Sequence, residues 1–164
     1  MDKSALINSP NFSFLQEHDP LLVIYAARAE RYVFDDANTS LLKLRQFAEL
    51  LARHAAARCG METETTDFRD VVAMLVRQRI AAREIRELFD LLRLRGNDAA
   101  HEGADNRQAA LSGLIAAQRI AVWFHKTFGD ASFNAGPFRP PPNPANAEEA
   151  LTDELESLRE IAVV

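Results

Sequence analysis

A single cysteine, Cys59, and three lysines, Lys3, Lys43 and Lys126, stand in a chain of 164 residues. One thiol can build neither a disulfide framework nor a cysteine-based zinc site; in its Ala-rich run before Gly60 it reads as a small buried hydrophobe. Four histidines are scattered without an HExxH pair, so neither metal nor cofactor is expected. No glycine loop ends in Lys-Ser or Lys-Thr, no strand feeds a GxGxxG turn, and no serine sits in a nucleophile elbow. A metal-dependent DNA nuclease of the restriction type needs acidic residues on strands beside a catalytic lysine, and that arrangement is also missing. No run of about 18 apolar residues escapes charge, and Met-Asp-Lys-Ser lacks the apolar region of a signal peptide. The expectation is a soluble, cytoplasmic protein without a membrane partner.

What is present is helical. Hydrophobic residues make up 48% of the chain, which suits one compact domain with an appendage. Strand alternation and internal repeats are absent. Residues 1 to 18 form an irregular arm whose Phe12, Phe14 and Leu15 pack onto the body. Asp19-Pro20 is a cap followed by proline at the first helical position, and the helix runs to about Phe34. Asp35, Asp36 and Asn38 mark a turn and a second cap, and a long helix from Thr39 to Cys59 follows, with Leu44, Ala48, Leu51 and Ala55 inward and Gly60 closing it. A third helix opens at Thr66 or Asp67 and ends near Ile80 to Ala82, amid the solvated Arg77, Arg79, Arg83 and Arg86. The fourth begins near Arg83. Asp105 is placed to cap the fifth, with Gln108 completing a capping box, and this helix reaches about Phe128. Its end is apolar nearly all round, which calls for burial by the arm, by other helices or by a second copy of the chain. His125 falls on its inner stripe as a core histidine.

Charge is unevenly placed. The net charge is -5, and Glu148, Glu149, Asp153, Glu154, Glu156 and Glu160 face Arg159 alone at the C-terminal end, so the body is neutral and the tail acidic. Five of the seven prolines lie between Pro137 and Pro144. The organisation expected is a helical domain over 1–134, a semi-rigid Pro-rich linker over 135–146, and over 147–164 the start of an amphipathic or coiled-coil helix, its seam set by Leu151, Leu155, Leu158 and Ala162. A seam that stops after barely two heptads implies domains beyond Val164.

The chemistry-bearing stretch is Arg93-Leu-Arg-Gly-Asn97-Asp-Ala-Ala-His101-Glu-Gly. On a continuous helix Arg93, Asn97 and His101 share an arc of roughly 80° beside the apolar stripe of Ile85, Leu88, Phe89 and Leu92. Gly96 and Ala99 prolong that stripe, which makes Gly96 a close-packing residue and not a stop. Arg45 and Glu49, four residues apart on the second helix, are expected on the same flank. An imidazole titrates near neutrality and can take a proton from a hydroxyl; Arg93 could stabilise developing phosphate charge, and Asn97 could orient either partner. Such a set could cleave RNA through the ribose 2'-hydroxyl, but not DNA. The other reading of the same residues is a structural network.

The set Leu44-Arg45-Gln46-Phe47-Ala48-Glu49-Leu50 with Arg93-x-x-Gly96-Asn97-x-Ala99-x-His101-Glu102 resembles the HEPN superfamily, in the branch found at the N-terminus of type I restriction enzyme R subunits. Gly136-Pro137-Phe138-x-Pro140-Pro141-Pro142 is similar to the linker that follows the domain there. The resemblance implies an all-α HEPN-like bundle of about five helices, commonly dimeric, at the front of a helicase and translocase subunit. Its partners would be the downstream helicase and nuclease domains of the same chain, a second copy, or nucleic acid. It implies catalytic roles for His101, Arg93 and Asn97, with Arg95 as the alternative arginine, and binding roles for Arg45, Glu49 and Glu102. Arg95 has the spacing of the HEPN ribonuclease motif but is followed by Gly96 and lies about 120° from His101 on a helix; Arg93 has the better angle. The leading expectation is an accessory module for protein or nucleic-acid interaction in DNA restriction. A metal-independent ribonuclease with His101 as general base is the second reading, and a structural spacer the third.

Overall fold

Asp19 and Pro20 start the first long helix in the way their chemistry dictates. In a computed structural model, which describes residues 9–99, 106–143 and six positions between 152 and 160, the Asp19 carboxylate accepts from the Leu21 N–H at 2.9 Å and α1 runs over Pro20–Tyr32. A 3-10 helix, Ser13–Glu17, precedes it; α2 (Ala37–Arg58), α3 (Phe68–Arg77), α4 (Arg83–Ala99) and α5 (Arg107–Phe128) follow. Among the described residues there is no strand, and the fold is all-α.

The central element is α2, which packs against each of the other four α-helices. Its buried face alternates bulky Leu41, Leu44, Phe47 and Leu51 with Ala48, Ala52, Ala55 and Ala56. The alanines leave neighbouring helices room to approach, while the larger side chains fill the gaps between them. Around it, an edge-to-face aromatic ladder passes from Phe68 on α3 through Phe89 on α4 to Trp123 and on to Phe124 on α5, with centroid separations of 6.3, 5.9 and 6.4 Å.

Helix ends show where local chemistry decided and where it was overruled. The cap of α2 is Asp36, not Asn38: one carboxylate oxygen accepts the Thr39 N–H at 3.1 Å and the other the Thr39 hydroxyl at 2.6 Å. Two bonds to one residue fix the start at Ala37, two residues earlier than the pattern suggested. These bonds hold the Asp36 carboxyl below its ordinary range. A depressed folded-state value means the cap stabilises above the unfolded carboxylate range and is lost as pH falls through the folded value. Asp36→Ala is therefore expected to cost about 0.5–2 kcal/mol at neutral pH, a difference that shrinks in acid; urea unfolding of both proteins at pH 7 and near pH 3 measures it.

The other end of α2 closes with Gly60 at φ +76°, where Gly60 N–H donates to Ala57 O and Met61 N–H to Ala56 O. This is the reciprocal pair of a Schellman turn. The end of α3 makes the same pair, Arg79 N–H to Val76 O and Ile80 N–H to Leu75 O, with Arg79 at φ 58° in the place glycine favours. Cys59, expected buried, is exposed. The buried phase of α2 passes through Leu51, Ala52, Ala55 and Ala56, and the terminal turn carries Ala57, Arg58 and Cys59 out of it.

At the start of α5 the cap position is Asn106, one residue beyond the expected Asp105, which lies outside the described residues. Gln108 then stands two places from the cap instead of three, so the capping-box spacing is lost. Asn106 spends its side chain elsewhere, donating to Asn38 Oδ1 at 2.8 Å.

The apolar end of α5 is covered from within the chain. Ile120, Ala121 and Phe124 are fully buried, His18 packs edge-on to Phe124, and Phe14 and Phe133 flank His125. The only large α5 side chain among the exposed hydrophobics is Ile115. The arm is thus structural: Phe12 and Leu15 have no exposed surface. Glu30 on α1 ties it down, accepting from Ser9 Oγ and, at 2.9 Å, from Asn11 Nδ2. Burial pushes the Glu30 carboxyl up, against the opposing pull of those two donors. Asn11 also pairs with the Arg139 backbone in both directions at 2.8 Å. The Pro-rich segment is therefore anchored to the arm at this point. Ser40 Oγ, buried, donates to Ala29 O at 2.7 Å and joins α1 to α2.

Candidate functional site

The crossing of α2 and α4 gathers the described residues of the chemistry-bearing stretch. α4 continues through Gly96 to Ala99. Gly96 is buried, and a Cβ placed on it would lie 2.4 Å from Arg45 Cβ and 2.8 Å from Arg45 Cδ. No side chain fits. The glycine is there because the stem of an arginine occupies that space.

One residue on, the same arginine makes a polar bond: Arg45 Nε donates to Asn97 Oδ1 at 2.8 Å. Its Nη1 reaches Glu49 Oε1 at 3.8 Å, and Glu49 also receives Arg53, with Nη2 3.2 Å from Oε2. Arg53 extends to the following loop, donating to the carbonyls of Thr63 and Thr66. Each of these half-buried ion pairs contributes only about 0–1 kcal/mol, but the chain of bonds fixes the orientation of the loop over residues 61–67 against α2.

Arg93, one turn before Asn97, lies 3.5 Å from Asp90 through Nη2, while its Nε is buried and without a hydrogen-bond partner among the described residues. Arg93 and Asn97 line an open groove of about 640 Å³ with Arg45, Glu49 and Arg53 and the loop before α3. Arg95 is exposed and does not line it. His101 and Glu102, expected to complete the group, lie outside the described residues. Four arginines (45, 53, 69, 93) and three carboxylates (Glu49, Glu64, Asp67) border the groove. That balance suits a mixed polar contact better than a run of phosphates, which calls for a marked surplus of cations.

A second polar cluster was not foreseen. The sequence treats the histidines as scattered, yet His18 from the end of the 3-10 helix, His54 from α2 and His125 from α5 meet at one end of the bundle. His18 Nε2 is 2.9 Å from His125 Nδ1, Arg58 Nη2 is 3.2 Å from His18 Nδ1, and His54 Nε2 is 2.7 Å from Asp19 Oδ2. Burial holds the His18 imidazole below its ordinary value; Glu17 opposes that, and His125, Arg58 and His54 add to it. The only available signal was the placement of His125 on an apolar stripe, which announces a buried imidazole but cannot name a partner more than a hundred residues away.

Fold and site together define an all-α domain whose best-formed polar feature is a helix-crossing lock beside a groove. Residues 27–124 match the model of a domain of unknown function, DUF4145, and the chain belongs to that family. It is also similar to the type I restriction enzyme EcoKI endonuclease subunit of Escherichia coli (strain K12), 30% identical over 121 residues. That stretch is 74% of this chain and 10% of the subunit, so the chain spans about a tenth of the curated relative it matches. No solved structure matches. Among the described residues no helix is long and apolar enough to cross a membrane.

Proposed function

We propose that this chain is an accessory module of a type I restriction enzyme R-like polypeptide, of the HEPN type, which acts through contacts and not by cutting nucleic acid. The observation that carries the reading is the likeness over 121 residues to an endonuclease subunit ten times the length of the matched part. The module would serve the helicase and nuclease domains of the same polypeptide, in a cytoplasmic restriction system. The near-even charge of the α2–α4 groove favours a protein surface over nucleic acid as its contact. Its domain would end near residue 134, with the proline segment leading onward.

The ribonuclease reading has less support. A general-base site needs its amide and arginine free to meet substrate, whereas Asn97 is held by Arg45 and Arg93 leans on Asp90. Dimerisation loses the argument drawn from α5, whose apolar end is occupied by the chain's own arm. The test is incubation of the purified domain with structured RNA across about pH 6–8, where an imidazole base operates, together with duplex DNA at low and moderate salt. The expected result is intact RNA and no DNA shift. Cleavage abolished by His101→Ala would establish the ribonuclease instead, and a DNA shift that weakens with salt would replace the protein contact with a nucleic-acid one.

A further inference from the structure

The geometry points to a divalent transition-metal site, for an ion of zinc or cobalt type, built from Glu17, His18 and His125 where the arm meets α5. The donor atoms of these three side chains all lie within 4.8 Å of one another. His18 Nε2 and His125 Nδ1 are 2.9 Å apart, and Glu17 Oε1 is 3.6 Å from His125 Nδ1. With metal–ligand bonds of about 2.0–2.2 Å, those separations correspond to ligand–metal–ligand angles of roughly 90° and 115°. Both suit a three-ligand site with positions left open.

Two further features single out this cluster. Gly129 leaves the carbonyl and the ligand edge of His125 uncovered: a Cβ there would stand 2.8 Å from His125 O, 2.9 Å from Nδ1 and 3.0 Å from Cε1. His125 itself is rigidly placed, 5% exposed, with the rings of Phe14 and Phe133 at 5.3 and 4.5 Å. One ligand is therefore pre-positioned by the core, and the other two come from consecutive residues at the end of the 3-10 helix.

Arg58 supplies the opposing influence, and with it a specific test. A guanidinium can only donate, so His18 Nδ1 accepts from Arg58 and the neutral ring carries its proton on Nε2, pointing at His125 Nδ1. A metal ion takes the place of that proton. His18 must then lose the proton at Nε2 and gain one at Nδ1, with no net release, and the exposed Arg58 must swing away. A ligating histidine wants an acceptor behind it, not a cation. Removing Arg58 should therefore tighten binding, the opposite of what a merely structural hydrogen bond would give.

Tag-free protein titrated with Co²⁺, followed by its visible ligand-field bands, and with Zn²⁺ in competition with a chromophoric chelator, tests the site. The expected result is one ion per chain, bound roughly tenfold or more weakly in His18→Gln and in Glu17→Gln, and more tightly in Arg58→Gln, where the glutamine oxygen can accept from Nδ1. Glu17 is largely exposed, so its variant folds whatever becomes of the buried pair. Absence of one-to-one binding, or affinity that His18→Gln and Glu17→Gln leave unchanged, overturns the proposal. So does an Arg58→Gln variant that binds no better than the parent.

Discussion

Phe12→Ala is expected to destabilise the protein by about 3–5 kcal/mol, a large share of the roughly 5–15 kcal/mol that holds a typical domain together. The residue belongs to an irregular stretch rich in serine, asparagine and proline ahead of the first regular helix. Yet its ring has no exposed surface and stands edge-on to Phe47 of α2, with centroids 5.4 Å apart at 70°. Removing it leaves a cavity against the central helix, and the polar clasp of Ser9 and Asn11 on Glu30 is too local to close it. Urea unfolding followed by circular dichroism gives the number. A loss smaller than about 1 kcal/mol would mean that the arm is an adornment and not part of the core.

Gly96→Ala is expected to cost roughly 1–2 kcal/mol, even though alanine in place of glycine ordinarily favours a helix by up to about 1 kcal/mol. The sign turns on a single distance. A new methyl group would meet Arg45 Cβ at 2.4 Å, and a Cβ cannot swing aside as the end of a side chain can, so α2 and α4 must part. Separation would also stretch the Arg45–Asn97 bond at the next residue. Arg45→Ala should not rescue the variant, because alanine keeps the offending atom, whereas Arg45→Gly should restore part of the loss. A Gly96→Ala protein that unfolds at higher urea than the parent would show that the crossing is looser than these distances state.

The stretch from Arg93 to His101 shows how far local pattern can reach. Helical phase alone placed Arg93 and Asn97 on one flank of α4 with Gly96 on the packed stripe beside them, and it put Arg45 and Glu49 together on one flank of α2. All of these now meet at the α2–α4 crossing. Phase could not say what the meeting was for. The same residues read as an acid–base group or as a lock between helices, and the structure makes Arg45 the partner that occupies Asn97. The histidine cluster lay beyond phase altogether, because three of its members come from different elements brought together only by the packing of the arm and α5 on α2.

By itself the sequence determined the all-α class, the five α-helices between Pro20 and Phe128, the caps at Asp19 and Gly60, and the buried character of His125. These follow from rules that act within a few residues: a carboxylate can reach an N–H two or three positions on, glycine adopts positive φ freely, and an apolar stripe repeats every turn. Tertiary structure decided that Cys59 is exposed, that Asn106 takes the cap position of α5 while its side chain turns to Asn38, that Phe12 of the arm stands against Phe47 of α2, and that His18 faces His125. Each of those depends on which surfaces approach from far along the chain, and on how closely a glycine or an alanine lets them come. Helical periodicity fixes the face a residue shows; only packing fixes what that face meets.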